Sequence, residues 1–358
     1  MTSLFDAVRF VHGPAMPNRF MLAPLTNQQS HDDGTLSDDE FTWLTKRAVG
    51  GFGLVMTCAA HVQRVGQGFA GQLGVFDDAH LPGLTRLAGA LKAEGSVAVV
   101  QLHHAGRRSP KELIGTDPVC PFDDPEVGAR ALTPGEVEQL IEDFIAAAVR
   151  CDRAGFDGVE LHGAHDYIIC EFLNPEANLR DDRWGGSLEN RSRMMWEILS
   201  GIRARCRPAF NVSVRLSPER FGMRTHEIVS LYEDLAASGL VDFIDMSLWD
   251  VFKTCADPAL ADRRLVDVFA NAERGRTRLG VAGKLYSAEE CRRAVDAGAD
   301  FVVIGRGAIL HHDFPRRCEQ DADFVVRSLP TTRETLREEG LSDAFIGYMG
   351  NWKGFVAD

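Results

Sequence analysis

His162 and His165 stand three residues apart, and Tyr167 follows two further on. Two imidazoles at that spacing can both donate hydrogen bonds to one substrate oxygen, where negative charge develops during a reaction. A phenol is protonated at neutral pH and can act beside them as an acid. The same pair could instead hold a metal or be structural. The HxxH spacing lacks the glutamate of the HExxH zinc motif and no third ligand stands nearby, so no metal is assigned to it. Gly283 and the run Gly305-Arg306-Gly307 form a second constellation. Glycines let backbone N–H groups approach a phosphate, and Arg306 can add a bidentate contact; the plainer alternative is a tight turn with a surface arginine. Gln101 and Arg215 lie at the ends of apolar runs. A buried arginine needs an anion or acceptors, and each of the two could equally be a structural partner for a neighbour.

A repeated unit would bring these residues together. Thr133-Pro134-Gly135-Glu136 has a cap residue, a proline at the first helical position and an acid three residues after the cap. Val137, Leu140, Ile141, Phe144 and Ala148 follow at helical spacing, the helix ends near Gly155, and Gly158-Val159-Glu160-Leu161 reads as a strand. The same order of helix, glycine and apolar run recurs before Leu54-Val55-Met56, Val97-Ala98-Val99-Val100, Val241-Asp242-Phe243-Ile244 and Phe301-Val302-Val303-Ile304. Arg19–Leu22, Asn211–Val214 and Arg278–Val281 complete eight candidate strands, each followed by room for a helix. Near-continuous apolar strands alternating with helices predict a parallel sheet buried on both faces. Eight units favour a single α/β domain over 1–358, a closed (β/α)8 TIM barrel, over an open doubly wound sheet. Barrel enzymes keep their sites at the C-terminal ends of the strands. Those ends hold Ala23-Pro24-Leu25-Thr26, Ala59, Gln101, His103, His162, His165, Arg215, Gly283 and Gly305-Arg306. The long segments 105–132 and 178–190 follow strands three and four.

Composition narrows the function. The 358 residues carry 39 Lys+Arg against 52 Asp+Glu, a net charge of −13, which argues against a nucleic-acid partner. No apolar run is long enough for a membrane helix, and the start, MTSLFDAVRF, has no secretory pattern. The eight cysteines include no CxxC pair. A cytoplasmic protein with reduced thiols is expected. Past about residue 330 the chain carries Phe345, Tyr348, Trp352 and Phe355, an aromatic tail expected to pack on its own barrel or to reach a neighbouring subunit of a homo-oligomer.

The segments NRFMLAPLTN, VVQLHHAGR, AGFDGVELHGAHDYIICEFLNPEANLRDDRWGGSLENRSR, VSVRLSPE and GADFVVIGRGAIL together resemble the old yellow enzyme family of FMN-dependent ene-reductases over nearly the whole chain. The resemblance implies bound FMN at the top of the barrel. Ala23, Pro24, Leu25 and Thr26 would line the isoalloxazine ring and Ala59 would meet it through its backbone. Gln101 would bind the pyrimidine edge, Arg215 the N1/O2 side, and Gly283, Gly305 and Arg306 the phosphate. His162 and His165 would hold a substrate carbonyl oxygen, and Tyr167 would be the proton donor. The implied reaction reduces the electron-poor C=C bond of an α,β-unsaturated carbonyl compound with hydride from diffusible NADPH or NADH. Larger relatives carry an iron–sulfur module, which the cysteine pattern gives no reason to expect here.

The chain departs from the family pattern at His103, where Trp is common, and at Asp166, where Gly is usual. It departs also at Cys58, where many members have Glu, at Thr26, where one subgroup has Cys, and at Asn27-Gln28-Gln29, which lacks an aromatic. Asp166 is expected to be solvated, the alternatives being repulsion on the Tyr167 phenol or binding of a cationic substrate. Three other activities remain open at this point. They are oxidative demethylation or dehydrogenation of an amine on the same flavin fold, metal-dependent hydrolysis using the histidine pair, and flavin binding without catalysis.

Overall fold

Strands that are apolar at every position must be covered on both faces, and closing the sheet on itself inside a ring of helices achieves this. The computed structural model, which describes residues 3–357, has that form. The eight strands are β1 (Phe20–Leu22), β2 (Leu54–His61), β3 (Val97–His103), β4 (Gly158–Gly163), β5 (Asn211–Leu216), β6 (Phe243–Ser247), β7 (Arg278–Ala282) and β8 (Phe301–Ile304). Every neighbouring pair is parallel and consecutive, and β1 closes the ring on β8 through Phe20↔Val302 and Leu22↔Ile304. The helices α1 (Asp38–Val49), α2 (Leu81–Ala93), α3 (Pro134–Arg153), α4 (Leu188–Arg205), α5 (Thr225–Ala237), α6 (Leu265–Ala270), α7 (Ala288–Asp296) and α8 (Arg306–Leu310) follow the strands in turn. No helix among the described residues is long and apolar enough to cross a membrane.

Alternation along the strands divides the interior. Phe20, Leu22, Val55, Ala98, Val100, Val159 and Leu161 face the helices in one large cluster. Met21, Leu54, Met56, Val97, Val99, Phe243, Phe301 and Val303 face the lumen in a second. The N-terminal segment closes the lumen from below. Val8 pairs with Met16, and the Phe10 ring lies 5.5 Å from Phe243 and 6.4 Å from Phe301. One layer higher, the inward positions of β3 to β6 are Gln101, Glu160, Ser213, Arg215 and Asp245, all buried. The lumen is thus apolar at its base and polar beneath the C-terminal rim.

The structure confirms the helix starting at Pro134. Thr133 and Glu136 form a reciprocal capping box, and the helix runs to Arg153. It also moves one strand. The run starting at Val241 was expected to be β-structure from its first residue, but β6 begins at Phe243. Asp242 turns inward at the barrel base, where its carboxylate accepts from His12 N (2.7 Å), Val212 N (2.9 Å) and the Arg203 guanidinium (2.7 Å). A short pairing of Val119–Cys120 with Arg130–Ala131, which the sequence did not suggest, braces the loop after β3. The aromatic tail packs on this chain's own barrel. Helix α9 (Asp343–Gly350) buries Phe345 edge-on against Trp43 of α1, with centroids 4.9 Å apart.

Asp242 is fully buried, and its removal strands the Arg203 charge and two backbone donors. Asp242→Ala is expected to lower the unfolding free energy by about 3–5 kcal/mol, read from urea denaturation. A loss below 1 kcal/mol would mean that the base of β6 is held by other contacts.

Candidate active site

The rim loops bring most of the expected site residues around one cavity of about 290 Å³. Ala23, Pro24, Leu25 and Thr26 come from the end of β1, His165 from the loop after β4, and Arg215 from β5. Gly283 follows β7, and Gly305 and Arg306 follow β8. Ala59, Gln101, His162 and Tyr167 do not line this cavity. Ala59 sits beside a register shift in β2, its carbonyl accepting from Gln72 Nε2 at 2.6 Å. Gln101 lies below, in the polar layer of the lumen. His162 stands behind His165, and the half-buried Tyr167 ring rests edge-on against His103 (4.3 Å) and His162 (4.9 Å). Sequence reasoning missed Ser247, Trp249, Lys284, Tyr286, Tyr348 and Trp352, which also line it. Tyr348 and Trp352 reach it because α9 and the residues after it fold over the rim.

The polar layer has orphaned atoms that face no protein partner. Gln101 donates its Nε2 to Glu160 Oε1 at 2.8 Å, which leaves Gln101 Oε1 buried and unpartnered. Arg215 Nε lies 3.0 Å from Asp245 Oδ2. Burial, reinforced by the Asp245 charge, pushes the Glu160 carboxyl well above the usual range, so it holds its proton. A buried acceptor such as Gln101 Oε1 is costly without a donor. A heteroaromatic group with an N–H edge in the cavity above would supply one. Arg306 has no carboxylate partner among the described residues, and its guanidinium lies 5.8 Å from the Tyr286 and Trp352 rings. Gly283 has φ +149°, and a Cβ there would strike Asp250 N at 2.7 Å. At Gly305, which lines the cavity, a built Cβ would meet Leu25 and Ala23 at no closer than 3.7 Å, an ordinary contact. Beneath it, the buried Arg47 guanidinium lies over the Trp43 ring and donates to Ala308 O at 3.0 Å, fixing α8. These residues therefore suit an anionic ligand with a flat, hydrogen-bonding ring.

The histidines are linked to each other. His103 Nδ1 is 3.1 Å from His162 Nδ1, His162 Nε2 is 2.9 Å from His165 Nδ1, and His165 Nε2 is 2.8 Å from Ser247 Oγ. Burial, with the neighbouring imidazoles and arginines, drives all three well below the ordinary histidine value, so they are neutral. Burial also holds the Tyr167 phenol above its ordinary value, against the pull of Arg108, and Asp166 adds least. The expectation of a solvated Asp166 is corrected. Its carboxylate pairs with Arg107 at 2.7 Å, and the same guanidinium holds Asp124 at 2.8 Å. At Cys58, the carboxylate that many family members place there arrives from α1. Glu40 is buried with Ser30 and Asn27, and its charge adds to the burial that pushes the Cys58 thiol up.

Residues 3–323 match the NADH:flavin oxidoreductase / NADH oxidase family. The chain is 37% identical over 337 residues to the probable NADH-dependent flavin oxidoreductase of Bacillus subtilis (strain 168), covering 91% of this chain and 90% of that one. It is 33% identical over 343 residues to the NADH:fumarate oxidoreductase of Klebsiella pneumoniae (strain 342), covering 91% of this chain but 37% of that protein. Among solved structures, the old yellow enzyme homologue from Zymomonas mobilis superposes with a TM-score of 0.81 at 27% identity, covering 96% of this chain and 99% of the other.

The raised Glu160 pKa has a measurable consequence. In the unfolded chain this acid ionises near pH 4.5, whereas in the fold it keeps its proton to higher pH. Its contribution to stability is therefore full below pH 4.5 and is lost as pH rises towards the folded value. The stability of Glu160→Gln relative to the parent should rise by about 1.4 kcal/mol per pH unit above pH 4.5, measured by chemical denaturation at pH 5, 6 and 7. A difference that does not change with pH would mean that the acid is ionised in the fold.

Proposed function

The chain belongs to the NADH:flavin oxidoreductase / NADH oxidase family, that of old yellow enzyme, and from this premise we propose that it reduces the C=C bond of α,β-unsaturated carbonyl compounds with NADH or NADPH through FMN. The observation that carries the reading is the convergence beside one Arg215-lined cavity of neutral imidazole donors and a phenol that burial keeps protonated. FMN, when bound, supplies the two-electron chemistry that no side chain here possesses.

The residues divide the remaining work. Ala23, Pro24, Leu25 and Thr26, which line the cavity, would form the bed of the ring. Gln101 Oε1, held in one orientation by Glu160, accepts from the ring's N–H edge. Arg215 places a positive charge where negative charge accumulates on reduction, and Gly283, Gly305 and Arg306 hold the phosphate. His165, backed by His162, donates to the carbonyl oxygen of the alkene substrate, which draws electron density from the β-carbon. Tyr167 gives its phenolic proton to the α-carbon. The nicotinamide and the alkene both need the face of the ring, so they take turns in the same cavity.

Asp166 and the changed loop after Thr26 were the features that permitted an amine substrate. The Asp166 carboxylate is instead engaged by Arg107, which it shares with Asp124. The names of relatives that act on fumarate or acrylate agree with an electron-poor alkene.

Anaerobic photoreduction of the flavoprotein followed by 2-cyclohexen-1-one tests the reading. The oxidised flavin absorbance should return rapidly in the parent. In Tyr167→Phe it should return about 10²–10⁴-fold more slowly, while reduction by NADH keeps its rate. A flavin that stays bleached with every enone, and is instead reduced by amines, would replace this function with amine oxidation.

A further inference from the structure

His103 takes no part in the roles assigned above, yet it is fully buried and touches both His162 and Tyr167. It stands at the end of β3, where the family commonly has tryptophan. Its Nδ1 faces His162 Nδ1, and its Nε2 is buried without a partner. With it, three imidazoles and one hydroxyl form an unbroken file of His103, His162, His165 and Ser247.

A neutral imidazole carries one proton and offers one lone pair. His162 and His165 each use both nitrogens in the file, so each must donate once and accept once. The three hydrogen bonds must therefore all point the same way. If His103 donates from Nδ1, then His162 Nδ1 accepts and its Nε2–H donates to His165 Nδ1. His165 Nε2–H then points at Ser247, on the cavity wall. If the direction is reversed, Ser247 donates, His165 Nε2 becomes an acceptor, and the cavity-side nitrogen repels a carbonyl oxygen. Only the outward direction puts a proton on His165 Nε2, the nitrogen of the file at the cavity side.

We propose that His103 is a positioning residue that sets the direction of this file, so that His162 donates to His165 and His165 carries its proton on Nε2, the nitrogen nearest the cavity. The His103 ring contributes a donor that a carbocyclic side chain at the same place lacks. Its effect on substrate passes through His162 and does not involve contact with the reacting atoms. The role in catalysis rests on the proposed carbonyl reduction, whereas the direction of the file does not.

Long-range ¹H–¹⁵N correlation spectra of the holoprotein labelled with [¹⁵N]histidine read each tautomer directly. In the parent, His162 should carry its proton on Nε2, with Nδ1 bare, and His165 should be protonated on Nε2. In His103→Phe, His162 should move its proton partly or wholly to Nδ1, and KM for 2-cyclohexen-1-one should rise about tenfold with the rate of reduction by NADH unchanged. His103→Gln, whose amide N–H can replace the donor, should restore the parent tautomer. A parent spectrum with the proton on His162 Nδ1 overturns the proposal without any variant, and so does an unchanged His162 signal in His103→Phe. A protein with the expected tautomers that reduces no enone would remove the proposed function and leave the file standing.

Discussion

Arg215 and Asp245 form an ion pair inside the barrel lumen, 3.0 Å apart, with Asp245 fully buried and Arg215 nearly so. Two opposite charges in a low-dielectric interior attract strongly, but both have lost their hydration and need further partners. Burial raises both carboxyls of the layer, Glu160 well above the usual range, while the Arg215 charge pulls each of them back. This arrangement constrains everything above it. Glu160, as a neutral acid, still accepts from Gln101 Nε2, which orients the amide so that its oxygen is the atom left over. The Arg215 side chain also reaches the cavity wall. A purely apolar lumen would pack more stably, but it would leave the rim without a fixed cation or a fixed acceptor beneath a ligand ring.

The rim above this layer holds backbone in unusual conformations. His165 (φ +65°), Asp166 (+61°), Arg220 (+69°), Phe221 (+52°), Trp249 (+65°) and Lys284 (+50°) all occupy the left-handed region without being glycine. Each such residue costs roughly 1 kcal/mol or more and persists only where its surroundings over-determine it. For the pair after β4 those surroundings are identifiable. Arg107 holds the Asp166 carboxylate, Arg108 donates to His165 O at 2.8 Å, and the Ser217 hydroxyl accepts from His165 N at 3.2 Å. The reversal of the chain at these two residues aims the His165 ring back at His162. Without it, the rings of an HxxH pair on an extended strand would diverge.

That reversal marks the limit of what the linear chain reveals. Five of the eight strands were legible because their apolar runs follow a helical pattern and a glycine, both local signals, and the other three completed the alternation. Ala23 to Thr26, Gly283 and Gly305-Arg306 were legible as a group because strand ends in a barrel converge. Glu160 and Asp245 lay in view as charged residues inside buried strands, with the same parity as Gln101 and Arg215. They were passed over because a parallel strand is expected to be apolar on both faces, and only closure shows that the inner face near the rim can be polar. The pairing of Asp166 with Arg107 and the meeting of Glu40 with Cys58 join separate elements, and no local pattern encodes them. Asp242 shortened a strand for the same reason, because its partners His12, Arg203 and Val212 come from three other places in the chain.

The charge state of the histidines decides how the site divides its chemistry. An imidazolium at His165 would sit beside Arg215, Arg108 and Arg220, whose charges oppose its protonation in addition to the cost of burial. The ring is therefore a neutral donor. A neutral donor stabilises a developing oxyanion but does not hand its proton over readily, so the carbonyl oxygen is held as an anion-like acceptor and is not converted to an enol at that position. In the proposed reaction the proton would then come from elsewhere, and Tyr167 is the acid proposed for it. Its phenol is kept protonated by the same burial that keeps the imidazoles unprotonated. One physical cause, exclusion of water from the rim between β3 and β4, thus acts in opposite directions on a base and an acid. It makes the histidines donors without charge and the tyrosine a reserve of one proton.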